Sequence, residues 1–242
     1  MKLNDDVYML ALAMNMNGQS RQFHPTLILD AARGPTLVDN GLPGQAGEID
    51  AALAEAGLRV QDLKRIIITH QDLDHVGSLH DLVHASGARV LAHATEVAYI
   101  DGTLQPIKWT PELLEQMPQM RAFIDSWRPT PVDEHLQDGA HLDLAGGVRV
   151  VFTPGHTPGH IALYLERTKM LLAGDALLAD DGRLMGPNPS PLVTPDLALA
   201  QQSVQKLAEL DVQTIVCYHG GVVSMDANEQ LRRVARESVL AH

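Results

Sequence analysis

The hexapeptide His70-Gln71-Asp72-Leu73-Asp74-His75 follows directly on Lys64–Thr69, whose core is three consecutive isoleucines. A run of that kind predicts a strand buried on both faces, as in a sheet covered by helices. Strand ends that open into loops are where α/β sheets carry their chemistry. Four potential metal ligands within six residues at such an end restrict the chain to folds that hold ions or polar substrates there. The competing reading is a polar loop in which Asp72 and Asp74 cap the helix that follows.

Three more clusters repeat this context. Thr153-Pro154-Gly155-His156-Thr157-Pro158-Gly159-His160 follows the apolar run Val148–Phe152. Its prolines and glycines fix a tight turn that aims one imidazole; His156 is the expected ligand, and His160 a support. Ala173-Gly174-Asp175 ends the run that begins at Met170, and its aspartate suits a carboxylate bridging two cations. Tyr218-His219-Gly220-Gly221 follows Thr214–Cys217, and the glycines let backbone approach closely. Each cluster alone could be a turn, a cap or a structural histidine. Together they place four histidines and three aspartates at strand ends, and a metal site is the reading they share. The other histidines (24, 80, 84, 93, 135, 141 and 242) lack that setting and read as surface or packing residues.

Between these clusters the chain alternates strand and helix. Residues 25–39 predict two strands around a turn, and 47–56 a helix stopped by Gly57. Further helices are predicted over Ser78–Ser86, 196–210 and Ala227–Leu240. Further strands are predicted over Arg89–Ala92 and Ile161–Leu165. The order is that of βαβ units in an α/β fold. Residues 101–139 break the rhythm with five prolines and both tryptophans. The expectation is a single domain, 1–242, with an insertion at about 101–139 that forms a lid or a subunit interface. A loop is expected over 180–195.

Composition excludes several functions. The net charge of −12 and 4% aromatic content leave little for phosphates or bases to bind, so no nucleic-acid partner is expected. No apolar stretch reaches membrane-spanning length, and Asp5 and Asp6 spoil the start as a signal peptide. No membrane partner and a cytoplasmic location are therefore expected. The lone Cys217 excludes an intramolecular disulfide and reads as buried strand filler. The segment from Gly44 to Gly47 lacks a lysine and is a turn, not a phosphate loop.

The four clusters, in this order and spacing, resemble the metallo-β-lactamase-fold hydrolase superfamily over nearly the whole chain. Its motif His-x-His-x-Asp-His stands here as HQDLDH, and PGHTPGH, AGD and YHGG resemble its later elements. The resemblance implies a four-layer αβ/βα sandwich with two divalent metal ions (Zn, Mn or Fe). It assigns His70, Asp72 and His156 to one ion and Asp74, His75 and His219 to the other, with Asp175 bridging. It also implies that Asp39, in TLVDNG, supports the site from behind its ligands. The departure is Asp72, where the commonest pattern has histidine; some lactonase-like relatives carry aspartate there. A third carboxylate makes the donor set harder and favours manganese or iron beside zinc.

The function expected is a dinuclear hydrolase that uses a bridging hydroxide on a small lactone or carboxylic ester. In that reading Asp74 shuttles the proton, Asp175 bridges the metals and Tyr218 contacts substrate. Alternatives are hydrolysis of a β-lactam, thioester or phosphoester, a diiron redox or gas-binding module, and a non-catalytic binding protein. Partners are expected to be a small-molecule substrate and a second copy in a homodimer.

Overall fold

A computed structural model describes residues 1–16 and 19–240. The chain divides into two compact units, one of residues 1–21 and 25–136, the other of residues 22–24 and 137–242.

The first unit is built on a six-stranded sheet. Its strands lie in chain order: Val7–Met9, Thr26–Ile28, Thr36–Val38, Arg65–Ile68, Arg89–His93 and Glu134–Leu136. The first three pair antiparallel and the rest pair parallel. Ile66, Ile67 and Ile68 are all fully buried, as a strand covered on both faces requires. Helices Ala46–Ala54 and Leu79–Ser86 contribute Ile49, Leu53, Leu79 and Leu82 to the same core. Gly87 ends the second of these in the left-handed conformation, which costs glycine nothing.

The second unit repeats the plan. Its sheet runs Gly221–Val223, Thr214–Cys217, Met170–Gly174, Ile161–Leu165, Val148–Phe152 and His141–Leu142. Only the pairing of Met170–Gly174 with Thr214–Cys217 is parallel within this sheet. Helices Leu197–Leu207 and Ala227–Leu240 lay Val204, Leu207, Leu231 and Val234 onto Leu171, Ala173 and Ile215. Asp196 caps the first of these helices by accepting from Leu199 N–H at 2.9 Å.

The predicted strands and long helices appear within a residue or two of their expected ends, except that the helix expected over 196–210 stops at Leu207, three residues early. Two other places differ. The expected loop over 180–195 begins as a hairpin, Leu178–Asp180 paired with Arg183–Met185. Asp181 and Gly182 both have positive φ, 46° and 76°, the Asp-Gly turn that matches strand twist. Strands also form over Val7–Met9, Leu12–Met16 and Gln19–Phe23, where the sequence reading assigned no element. In the insertion, helices Pro111–Gln116 and Met120–Ser126 form as separate short pieces, and neither buries a residue fully. Among the described residues, no helix is long and apolar enough to cross a membrane.

Candidate metal centre

In the first unit, the ligand loop grows from the end of strand Arg65–Ile68. Asp72 is the N-terminal flanking residue of the short helix Leu73–Val76, yet its side chain makes no capping hydrogen bond. The carboxylate is instead spent on side chains: Oδ2 lies 3.4 Å from His70 Nε2 and 2.5 Å from Lys108 Nζ. Asp74 Oδ2 lies 3.9 Å from His75 Nε2. The rings of His70 and His75 sit with centroids 4.0 Å apart, and both residues are fully buried.

Behind this loop stands Asp39, itself only 1% exposed and held at φ 59°. Its Oδ1 accepts from Thr69 N–H at 2.8 Å, and its Oδ2 from the Thr69 hydroxyl at 2.8 Å. The same Oδ2 is 2.9 Å from His75 Nδ1. An ionised carboxylate only accepts, so His75 carries its proton on Nδ1. Thr69, having donated to Asp39, offers a lone pair to His70 Nδ1 at 3.0 Å, which places that proton on Nδ1 too. One carboxylate thereby sets both tautomers, so that each ring presents a lone pair and not an N–H at Nε2, the form in which an imidazole binds a cation.

In the second unit, two imidazoles converge on one oxygen. His156 Nε2 is 3.4 Å and His219 Nε2 3.3 Å from Asp175 Oδ2. The turn that carries His156 packs against helix Leu197–Leu207. Gly155 has φ 127°, and a side chain there would stand 2.2 Å from Ala200 N. Gly220 does the same for His219, since a Cβ would meet Ala179 O at 1.7 Å. His160 supports rather than ligates. Its Nε2 accepts from Asp175 N–H at 3.0 Å, so Nδ1 is the protonated nitrogen and meets Thr153 Oγ1 at 2.8 Å. Tyr218 is buried, stacked on Phe23 at 5.6 Å and edge-on to His219 at 5.3 Å. Cys217 is fully buried and free; burial, and then the Asp175 charge, push its thiol pKa up.

Each unit thus presents carboxylates against the Nε2 nitrogens of fixed imidazoles, partly buried in the first unit and buried in the second. Carboxylates drawn away from water favour cations, and in each unit the imidazoles and carboxylates are donors suited to divalent transition metals. The residues fit a metal centre. Thr69, Gln71, Glu96, Lys108 and Thr153 also take part, and sequence reasoning passed over all five. Only Thr69 gave a signal, as a polar residue ending an otherwise apolar buried strand. Among the described residues the remaining histidines join no such group, and His141, for example, pairs with exposed Glu166 at 2.8 Å; His242 lies outside the described residues.

The sequence profile of the metallo-β-lactamase superfamily matches residues 23–219, so the chain belongs to that superfamily and to its class of metal-dependent hydrolases. Its fold class is the four-layer αβ/βα sandwich. A probable metallo-hydrolase of Bacillus subtilis, YflN, is 29% identical over 198 residues, covering 76% of this chain and 74% of its own. The hydroxyacylglutathione hydrolase of Cereibacter sphaeroides is 31% identical over 193 residues, 79% of this chain. The match spans 59% of that relative's length. A crystal structure of a metallo-β-lactamase family protein of Thermus thermophilus, TTHA1429, superposes with a TM-score of 0.73 at 29% identity. It covers all of this chain and 80% of its own.

Proposed function

We propose that the protein is a dinuclear hydrolase of small lactones or carboxylic esters. The convergence of His156 and His219 on one oxygen of Asp175 carries the reading, because a carboxylate met by two imidazoles suits a ligand shared by two ions. His70, Asp72 and His156 would hold one divalent ion, and Asp74, His75 and His219 the other. Such a pair, when bound, acidifies water and polarises the substrate carbonyl.

The protein's own groups supply the rest. Asp74, whose side chain is 23% exposed, orients the attacking water, accepts its proton and passes it to the leaving oxygen. Asp39 and Thr69 keep His70 and His75 in the ligating tautomer through the cycle. Tyr218 braces the His219 ring and contributes a substrate contact. The partly exposed Trp109, Leu113, Leu114, Met117 and Phe123 of the insertion offer an apolar wall to an acyl chain.

A thioester is the second reading, favoured by the similarity to hydroxyacylglutathione hydrolases. The test is a screen of metal-reconstituted protein against lactones, oxygen esters, thioesters and phosphotriesters, with proton release followed in a pH-stat. Turnover of lactones or esters at least tenfold above thioesters supports the first reading. The reverse order replaces it with the second. No hydrolysis by protein holding two metals, together with an oxygen-dependent iron absorption band, would place it with the redox alternatives.

A further inference from the structure

Asp72 departs from the histidine most usual at its position, and the structure sets a cation against it. Lys108 Nζ is 2.5 Å from the same Oδ2 that faces His70. The two side chains are 10% and 17% exposed, so water screens the pair weakly. Lys108 is delivered there by a fastened segment. Ile107 N–H donates to Gln71 Oε1 at 2.8 Å, joining the insertion to the residue between His70 and Asp72. Gln71 is locked in turn: its backbone N–H and its Nε2 both donate to Glu96 Oε2 at 2.9 Å, and Glu96 is fully buried.

We infer that Lys108 is a positioning residue that sets the charge at position 72, the Asp72–Lys108 pair standing in for a neutral imidazole. The inference rests on the proposal that Asp72 is a metal ligand. A carboxylate has about four lone-pair sites and can hold an ammonium and a metal ion at once. An imidazole ligating through Nε2 has no second lone pair to give. Asp72 and Lys108 therefore belong together. Histidine at 72 deprives a nine-tenths-buried ammonium of its carboxylate and leaves it beside a divalent ion, which repels it. Methionine at 108 leaves the full carboxylate charge in the site and favours hard cations such as Mn²⁺ over Zn²⁺.

A double-mutant cycle on the full chain tests this, with Zn²⁺ and Mn²⁺ affinities read by chelator competition and folding by circular dichroism. Asp72→His should lower Zn²⁺ affinity, and adding Lys108→Met should restore it by about tenfold or more. Lys108→Met alone should raise the Mn²⁺-to-Zn²⁺ affinity ratio, while Lys108→Arg keeps the wild-type ratio. Should Asp72→His fail to fold, Asp72→Asn with and without Lys108→Met makes the same comparison. A merely structural strap at Lys108 predicts no restoration, since the double variant then binds no better than the single one; that outcome overturns the inference. Wild-type protein that binds no metal sinks the metal site itself. Two bound metals with strictly additive variants sink only the role of Lys108.

Discussion

Replacing Asp39 by asparagine should disarm two histidines without emptying the space behind them. Asparagine has nearly the same shape and tolerates the left-handed backbone at this position, where φ is 59°. Its carbonyl oxygen keeps the bond from Thr69 N–H. Its amide nitrogen then lies where Oδ2 was, 2.8 Å from Thr69 Oγ1 and 2.9 Å from His75 Nδ1. That nitrogen donates, so His75 must accept through Nδ1 and carry its proton on Nε2. Thr69, now receiving a hydrogen from the amide, has its own hydroxyl hydrogen released from position 39, and donating it to His70 Nδ1 across their 3.0 Å contact favours the same tautomer there. To ligate through Nε2, His75 must revert to a form whose Nδ1–H faces the amide donor, and His70 to one that leaves the Thr69 hydroxyl hydrogen without an acceptor.

A buried donor left unmatched costs about 1–3 kcal/mol. At about 1.4 kcal/mol per tenfold, one such penalty per ring weakens metal binding by about 5- to 150-fold, the range typical of lost support behind a ligand. Chelator competition measures the affinity, and nitrogen-15 spectra of the imidazoles report the tautomers directly. Metal-free stability should change little, because every buried group retains a partner. Asp39→Ala, by contrast, orphans Thr69 N–H and strains the backbone, and should lower both stability and affinity. Wild-type metal affinity in Asp39→Asn, with both rings still protonated on Nδ1, would falsify the tautomer mechanism.

Three other outcomes follow from the same geometry. Asp175→Ala should lose metal from both positions and nearly all turnover, because two imidazole nitrogens share its Oδ2; elemental analysis after dialysis that still shows two ions per chain removes it from the bridging role. Trp109→Ala removes one partner of the perpendicular Trp109–Trp127 pair, whose centroids are 5.1 Å apart, and Met117→Ala thins the same apolar surface. Both should raise KM more for long acyl chains than for short ones, and equal effects on both lengths would move this segment to a subunit interface or plain packing. Cys217 should resist alkylation in the folded protein at pH 8 and react on unfolding. Burial, more than the Asp175 charge, holds its folded pKa above the unfolded one, so the thiol's contribution to stability is complete below about pH 8.5 and is lost as pH rises beyond it. A Cys217→Ala variant with the same alkaline limb of melting temperature as wild type would assign that loss to other groups.

What the sequence discloses about such a site depends on how far apart its interacting residues lie along the chain. The ligand loop is legible because His70, Asp72, Asp74 and His75 sit within six residues at the end of a strand whose three isoleucines announce its burial. The turn at His156 is legible through the prolines and glycines that shape it. Asp39 is visible only through the resemblance of TLVDNG, since its bonds to Thr69 and His75 cross 30 and 36 positions. Glu96 reaches Gln71 across 25 positions and Lys108 reaches Asp72 across 36, and no periodicity or turn chemistry marks either. Both lie beyond the ligand loop, Glu96 after the strand that follows it and Lys108 in a segment whose prolines and tryptophans draw attention to apolar bulk. The chemistry of position 72 shows why the distinction matters. Read locally, Asp72 adds a negative charge to a metal site; read in the fold, it brings a lysine with it, and the charge that the site gains at one residue is returned 36 positions later.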